Sequence, residues 1–157
     1  YTGLGVKILF DRKTKPEAYA KIKGDGNHPK ITGMVSFFEV YGGTVVSVEV
    51  KGLRDDNFHG FHIHAGSTCT GTKDVPFQNA DGHYNPNKTG HPDHAGDLPP
   101  VLANNGNVWM MFYTTRFYPE DIIGKTVVIH EKRDDFKTQP SGDAGAMIAC
   151  GEIVEMI

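Results

Sequence analysis

The stretch Thr44-Val45-Val46-Ser47-Val48-Glu49-Val50-Lys51 decides the fold class. In an extended chain Val46, Val48 and Val50 fall on one face, and Ser47, Glu49 and Lys51 on the other. Alternation with period two marks a half-buried antiparallel strand. Residues 18–23 repeat the pattern, with Ala18, Ala20 and Ile22 alternating with Tyr19, Lys21 and Lys23. Working outward, further strands are expected at 31–40, 60–65, 107–114, 125–132 and 147–154, and a weaker one at 6–10. Helical signals are nearly absent. Pro119-Glu120-Asp121 predicts one short turn, because proline suits the first helical position and acids suit the positive end. Nineteen glycines and nine prolines among 157 residues exceed average usage, which is about 12 per cent for the two together. The chain therefore reads as an all-β sandwich or barrel of about eight strands, a single domain with one core.

Several function classes drop out. The formal net charge is −3, from 16 basic and 19 acidic residues, so there is no polybasic footprint for nucleic acid. The longest aliphatic run, Val127-Val128-Ile129, is far too short to span a membrane. No apolar leader with a small-residue cleavage site opens the sequence, as in a processed secreted chain or a trimmed one. Cys69 and Cys150 admit two readings, a pair of inert buried thiols or one bridge made in an oxidising compartment. Two connections, 66–106 and 133–145, are long. Structureless loops beyond about 12–15 residues are usually functional or disordered, and the first of these is rich in histidine and acid.

Histidine spacing is the main functional signal. Of eight histidines, five lie between His59 and His91, with His94 close behind. In Gly60-Phe61-His62-Ile63-His64 the two imidazoles project from one face, about 7 Å apart along a strand. They either converge on a metal or are two exposed strand histidines. Gly82-His83-Tyr84-Asn85-Pro86 and His91-Pro92-Asp93-His94-Ala95-Gly96-Asp97 then bring three histidines and Asp97 into one loop. Three neutral imidazoles and a carboxylate suit zinc or a borderline divalent ion. A polar loop of turn formers would explain Asp93 but not the three histidines. His130, within Val127-Val128-Ile129-His130-Glu131, is a core histidine or a ligand according to the partners that await it. His28 precedes Pro29 and reads as a turn residue.

These motifs, with Gly124-Lys125-Thr126 leading into His130-Glu131-Lys132 and with Ile148-Ala149-Cys150-Gly151, strongly resemble the copper/zinc superoxide dismutases from Ala18 to Ile153. Residues 1–17 add little to the match. The short step from His64 to Cys69 and the Leu98-Pro99 ending are similar to bacterial members. The resemblance implies a flattened eight-stranded Greek-key β-barrel, an immunoglobulin-like sandwich with two long functional loops. It implies copper on His62, His64, His83 and His130, and zinc on His83, His91, His94 and Asp97. Asp134 would link the two sites, and His59 would pack beneath the copper. Cys69 and Cys150 would form the family's bridge, in a secreted, periplasmic or cell-surface protein. The implied reaction converts superoxide to dioxygen and hydrogen peroxide, with His83 and His130 at the reacting centre and His83 supplying a proton. A homodimer is compatible with the resemblance, but related enzymes pair through different surfaces and no decisive apolar patch is legible here.

Two departures stand out. Met147 occupies the position of the family's active-site arginine, which predicts slower turnover unless Lys132, Arg133 or Lys137 compensates. His91 and His94 are also closer together than the family's corresponding ligands. The rival reading is a dismutase-like copper-binding or copper-handling protein with weak turnover. A zinc hydrolase is disfavoured, since four protein ligands leave no open position.

Overall fold

The computed structural model describes residues 14–54 and 56–157; the strand expected at 6–10 lies outside the described residues. Nine strands follow in order: β1 (Ala18–Gly24), β2 (Thr32–Val40), β3 (Gly43–Lys51), β4 (Phe58–His59), β5 (Phe61–His64), β6 (Val101–Leu102), β7 (Val108–Thr114), β8 (Thr126–His130) and β9 (Met147–Glu155). One helical turn, α1 (Pro119–Ile122), forms where the sequence predicts it. The Asp121 carboxylate there accepts the Tyr118 N–H at 2.8 Å.

Seven strands make one antiparallel sheet in the order β5-β8-β9-β1-β2-β3-β7, and β4 and β6 form a separate ribbon. β1, β2 and β3 are joined as a meander, whereas the chain after β3 and after β7 crosses to the opposite side of the sheet. These two crossovers give the Greek-key connectivity, and the sheet curls into a half-barrel. Inside the curl lie Ile22, Val35, Phe37, Val46, Val48, Phe61, Ile63, Ile129 and Ile153, all 2 % exposed or less. Each large apolar side chain so buried contributes about 1.5–3 kcal/mol. The period-two reading of 44–51 holds for Val46, Val48 and Val50, which are buried while Glu49 and Lys51 are exposed. Thr44 is buried as well, its hydroxyl donating to the Phe117 carbonyl at 2.7 Å.

Two local expectations change. The strand expected at 60–65 is the shorter β5 at 61–64, separated from β4 at Gly60, where the chain passes directly under the loop 133–145. A Cβ at Gly60 would lie 2.7 Å from the Ala144 Cβ and 3.3 Å from the His130 Cβ. The loop 66–106 is not structureless either; it carries a 3₁₀ turn (Gln78–Ala80) and β6. Because β4 and β6 leave no two-residue signature in the sequence, the strip that they make with β7 is also unforeseen. Phe58, Leu102 and Trp109 there are 45, 51 and 61 % exposed along one shallow depression. Among the described residues no helix is long and apolar enough to cross a membrane.

Cys69 and Cys150 are disulfide-bonded across a sequence separation of 81, and the Cys69 N–H donates to Glu152 on β9 at 3.1 Å. The bridge ties the start of the long loop to the sheet. Closing a loop of that length restricts the unfolded chain by about 4.5 kcal/mol in the chain-entropy picture. Urea unfolding of the double variant Cys69→Ser/Cys150→Ser is expected to show a loss of about 2–5 kcal/mol against the oxidised protein.

Candidate metal centre

β5 is an edge strand of the main sheet, so its outer edge needs partners. The histidine loop provides them. Ala65 N–H donates to Gly82, Tyr84 N–H to Ile63, and Ile63 N–H to Gly96, each at 2.8 Å. Loop residues thereby stand against β5 as extra rungs, setting His83 opposite His64 and Asp97 opposite His62. Gly96 is required at this contact, because a Cβ there would lie 2.3 Å from the Ile63 carbonyl oxygen. With the loop over one face and the core under the other, all of Phe61 to His64 is buried. The reading of His62 and His64 as exposed strand histidines is thereby excluded.

On the other side β5 pairs with β8, and a register shift between Ile129 and His130 re-aims the last residue of that strand. His62, His64, His83 and His130 then converge, with one ring nitrogen of each within 4.8 Å of the others. Hydrogen bonds to protein oxygens decide which nitrogen that is. His62 Nε2–H donates to Asp134 at 2.8 Å, His64 Nδ1–H to the Asp81 carbonyl at 2.6 Å, and His130 Nδ1–H to the Gly145 carbonyl at 3.1 Å. The remaining nitrogens face inward as lone pairs. His64 Nε2 and His130 Nε2 are 3.3 Å apart, and His62 Nδ1 and His83 Nε2 are buried without a partner. An unsatisfied buried polar atom costs about 1–3 kcal/mol, so lone pairs gathered in this way fit a cation coordinated between them.

A second group surrounds Asp97. Its carboxylate lies 2.7 Å from His83 Nδ1, 3.0 Å from His94 Nδ1 and 3.1 Å from His91 Nδ1. The His91 contact is close but out of line for a hydrogen bond, and His91 Nδ1 is otherwise unpartnered. That is the arrangement of co-ligands rather than of a donor and acceptor. His62 is also near this group, but its Nε2 is already held by Asp134, so His94, 3.2 Å from His83 Nδ1, is the better fourth member. Three imidazoles and a carboxylate suit a tetrahedral zinc site, and despite their short spacing His91 and His94 both stand within 3.1 Å of the Asp97 carboxylate. His83 belongs to both groups, one nitrogen to each.

Asp134 joins the two from behind, accepting from His62 Nε2 at 2.8 Å and from His91 Nε2 at 2.7 Å. Gly142, at φ +72°, lies flat against this bridge; a Cβ there would fall 2.0 Å from Asp134 Oδ1. His59 Nδ1–H donates to the His130 carbonyl at 3.0 Å, below the cluster. His28 sits in its turn, 2.7 Å from Asp25. Burial, together with the neighbouring imidazoles, holds His64 well below the usual histidine range and His130 down to about 3. Burial also lowers His62, even against its bond to Asp134. Burial would raise Asp97 and Asp134, but the surrounding imidazoles outweigh it and both are lowered. At neutral pH His62, His64 and His130 are therefore neutral imidazoles and Asp97 and Asp134 charged carboxylates, the forms that suit a metal site.

Met147 pairs with His130 in the β8–β9 ladder and lines a cleft of about 800 Å³ with His64, His83 and His130. Two positioning side chains escaped the sequence reading. Gln139 accepts the His91 N–H at 2.8 Å and donates to the His91 carbonyl at 2.7 Å. Arg116 reaches the backbone of the 92–97 turn. Neither leaves a local signal, because both act on distant backbone.

The chain matches the family model described as copper/zinc superoxide dismutase over residues 31–153. It is 34 % identical to a Cu-Zn superoxide dismutase of Deinococcus radiodurans, covering 78 % of this chain and 76 % of that protein. It is 35 % identical to one from Brucella abortus, over 79 % of each chain. The solved structure of a Brucella abortus Cu/Zn superoxide dismutase superposes with a TM-score of 0.75 at 31 % identity, covering 87 % of this chain and 99 % of that one. A fold, a paired histidine centre and a sequence that all agree place this chain in the copper/zinc superoxide dismutase family of enzymes, whose cofactors are copper and zinc.

Proposed function

We propose that His62, His64, His83 and His130 hold copper, that His83, His91, His94 and Asp97 hold zinc, and that the protein disproportionates superoxide to dioxygen and hydrogen peroxide. The observation that carries this reading is the double membership of His83. Its Nε2 belongs with the lone pairs at the base of the cleft and its Nδ1 lies 2.7 Å from Asp97. Copper held there would supply the one-electron redox chemistry, and zinc, which has none, would hold His83, His91, His94 and Asp97 in place. Two superoxide ions and two protons give one dioxygen and one hydrogen peroxide. His83 Nε2, at the base of the cleft, is placed to hold one of those protons and release it to the departing peroxide, while water provides the other. Asp134 keeps the His62 and His91 rings from rotating, and the Asp81 and Gly145 carbonyls do the same for His64 and His130. The disulfide supports a setting in an oxidising compartment outside the cytoplasm.

The cleft that leads to this centre supports slow capture of an anion. Met147 lines it where a guanidinium would stand, and a charge-assisted hydrogen bond is worth about 1.5–3 kcal/mol, or about 10–100-fold in rate. Asp25, Asp74, Asp81 and Glu131 line it against Lys73, while Lys132, Arg133 and Lys137 are exposed and are not among its lining residues. The same features favour a second reading, a copper-handling protein with weak turnover.

Pulse radiolysis on protein with quantified copper and zinc separates the two. The dismutase reading expects rapid superoxide decay that disappears when copper is removed; a full copper complement with negligible decay would instead establish copper handling. At constant copper content, Met147→Arg is expected to raise the rate several-fold, and an unchanged rate would remove Met147 as the cause. An acidic rim repels an anion, so raising ionic strength from about 10 mM to 150 mM, which shortens the screening length from about 30 to 8 Å, is expected to speed the wild-type reaction. Slowing by salt would indicate cationic guidance.

A further inference from the structure

The turn that carries His94 and Asp97 is pinned to β5 at Gly96 and closed by the His94 N–H donating to the Asp97 carboxylate at 3.0 Å, and its remaining backbone bonds are short-range. Asp93 N–H donates to the Gly90 carbonyl at 2.8 Å, and Asp97 N–H to the His94 carbonyl at 3.0 Å. The carbonyls of Pro92, His94 and Asp97 all point toward one atom, Nη1 of Arg116, at 2.9, 2.9 and 3.1 Å. Three carbonyl oxygens aimed at one point repel each other unless positive charge sits between them. The guanidinium provides that charge, with its two Nη1 hydrogens shared among three acceptors. Nη2 lies 4.0 Å from Asp93, an exposed pair worth little by itself.

The base of Arg116 is itself fixed. It follows β7 and precedes Phe117, which is 3 % exposed in the core and whose carbonyl accepts the Thr44 hydroxyl. Arg116 N–H also donates to Thr114 Oγ1 at 3.2 Å. A core-anchored side chain thus reaches out and holds a turn whose ligands are three residues apart. His91 has a different clamp, the Gln139 amide from the other long loop.

We propose that Arg116 is the positioning residue of the zinc group. Its guanidinium gathers the 92–97 carbonyls so that His94 Nδ1 and the Asp97 carboxylate face His83. The proposal rests on the zinc assignment made above. Arg116 touches no residue of the copper group and reaches it only at one remove, through His83 or through His91 and Asp134, so zinc binding depends on Arg116 more than copper binding does.

The test uses three variants of the full chain. Arg116→Met keeps the apolar stem and removes the donors, Arg116→Lys keeps the charge, and His94→Ala removes a ligand. Zinc affinity is measured by competition with a chromophoric chelator. Cobalt(II) absorption reports the geometry of the zinc group, copper affinity is measured in parallel, and the melting temperature of the metal-free protein reports folding. Arg116→Met is expected to weaken zinc about 10–100-fold and to alter the cobalt spectrum, with copper affinity and metal-free melting unchanged. Arg116→Lys is expected to recover part of the loss. Zinc affinity within about twofold of wild type in Arg116→Met, beside a large loss in His94→Ala, would overturn the proposal and leave the zinc assignment standing. An equal fall in copper affinity and metal-free melting would also overturn it, reducing Arg116 to a general structural residue. If His94→Ala leaves zinc binding intact, the zinc assignment fails, and the proposal with it.

Discussion

A buried imidazole has two nitrogens, and in a low-dielectric interior each needs a partner. The metal-binding half of this molecule is organised by that constraint. Four rings have one nitrogen satisfied by the protein: His62 and His91 by Asp134, His64 by the Asp81 carbonyl, and His130 by the Gly145 carbonyl. Each bond fixes a tautomer and a ring plane, and so fixes where the opposite lone pair points. His83 is fastened from within the second group, its Nδ1 2.7 Å from the Asp97 carboxylate, and so presents a nitrogen to each group. Burial keeps His62, His64 and His130 neutral at neutral pH, so protonation does not compete with ligation there. Metal binding and folding are therefore linked, because the lone pairs are gathered only in the folded chain.

That arrangement requires two long loops to be as well placed as strands, and backbone contact with the sheet is what places them. The 82–97 segment adds rungs to the bare edge of β5, and the 133–145 loop crosses over Gly60. Gly96 and Gly142 are the points of closest approach, one against the Ile63 carbonyl and the other against the Asp134 bridge. The disulfide secures the remaining stretch. Loop order here arises from hydrogen bonds and excluded volume supplied by the sheet, together with local turns such as those that Asn85 and Asp135 close.

These causes explain what could be read from the sequence and what could not. The alternation at 44–51 was legible because the two faces of β3 differ in polarity. Phe61 to His64 alternates too, yet both of its faces are buried, since a loop distant in sequence covers the second one. The histidines and Asp97 stood out by type and spacing. The pairing of Cys69 with Cys150 stayed open until the family resemblance closed it, because chain separation alone does not specify a bridge. β4 and β6 are two residues each, below any periodicity, so the exposed strip of Phe58, Leu102 and Trp109 was hidden as well. Arg116 and Gln139 contact backbone 19 to 48 positions away, and backbone carbonyls have no letter in a sequence.

The ligand groups and the cleft above them are governed by different physics, and so they can vary independently. Ligand position depends on tautomer-fixing bonds made beneath the metal site. Encounter with an anion depends on the field at the rim, where Asp25, Asp74, Asp81 and Glu131 stand against Lys73. Met147 sits at the junction. On its inner side it packs against the cluster of Phe77, Ala80, Val128 and Cys150, which a thioether stem fills without an unpaired charge. An arginine here would have to send its head group out into the cleft, where it would meet acids and be partly neutralised by them. The apolar packing and the acidic rim thus both favour the residue that is present. On the proposed reading, a centre with its ligands gathered and its approach poorly served is physically consistent, and it would put the limit on turnover at capture of the anion, outside the coordination geometry.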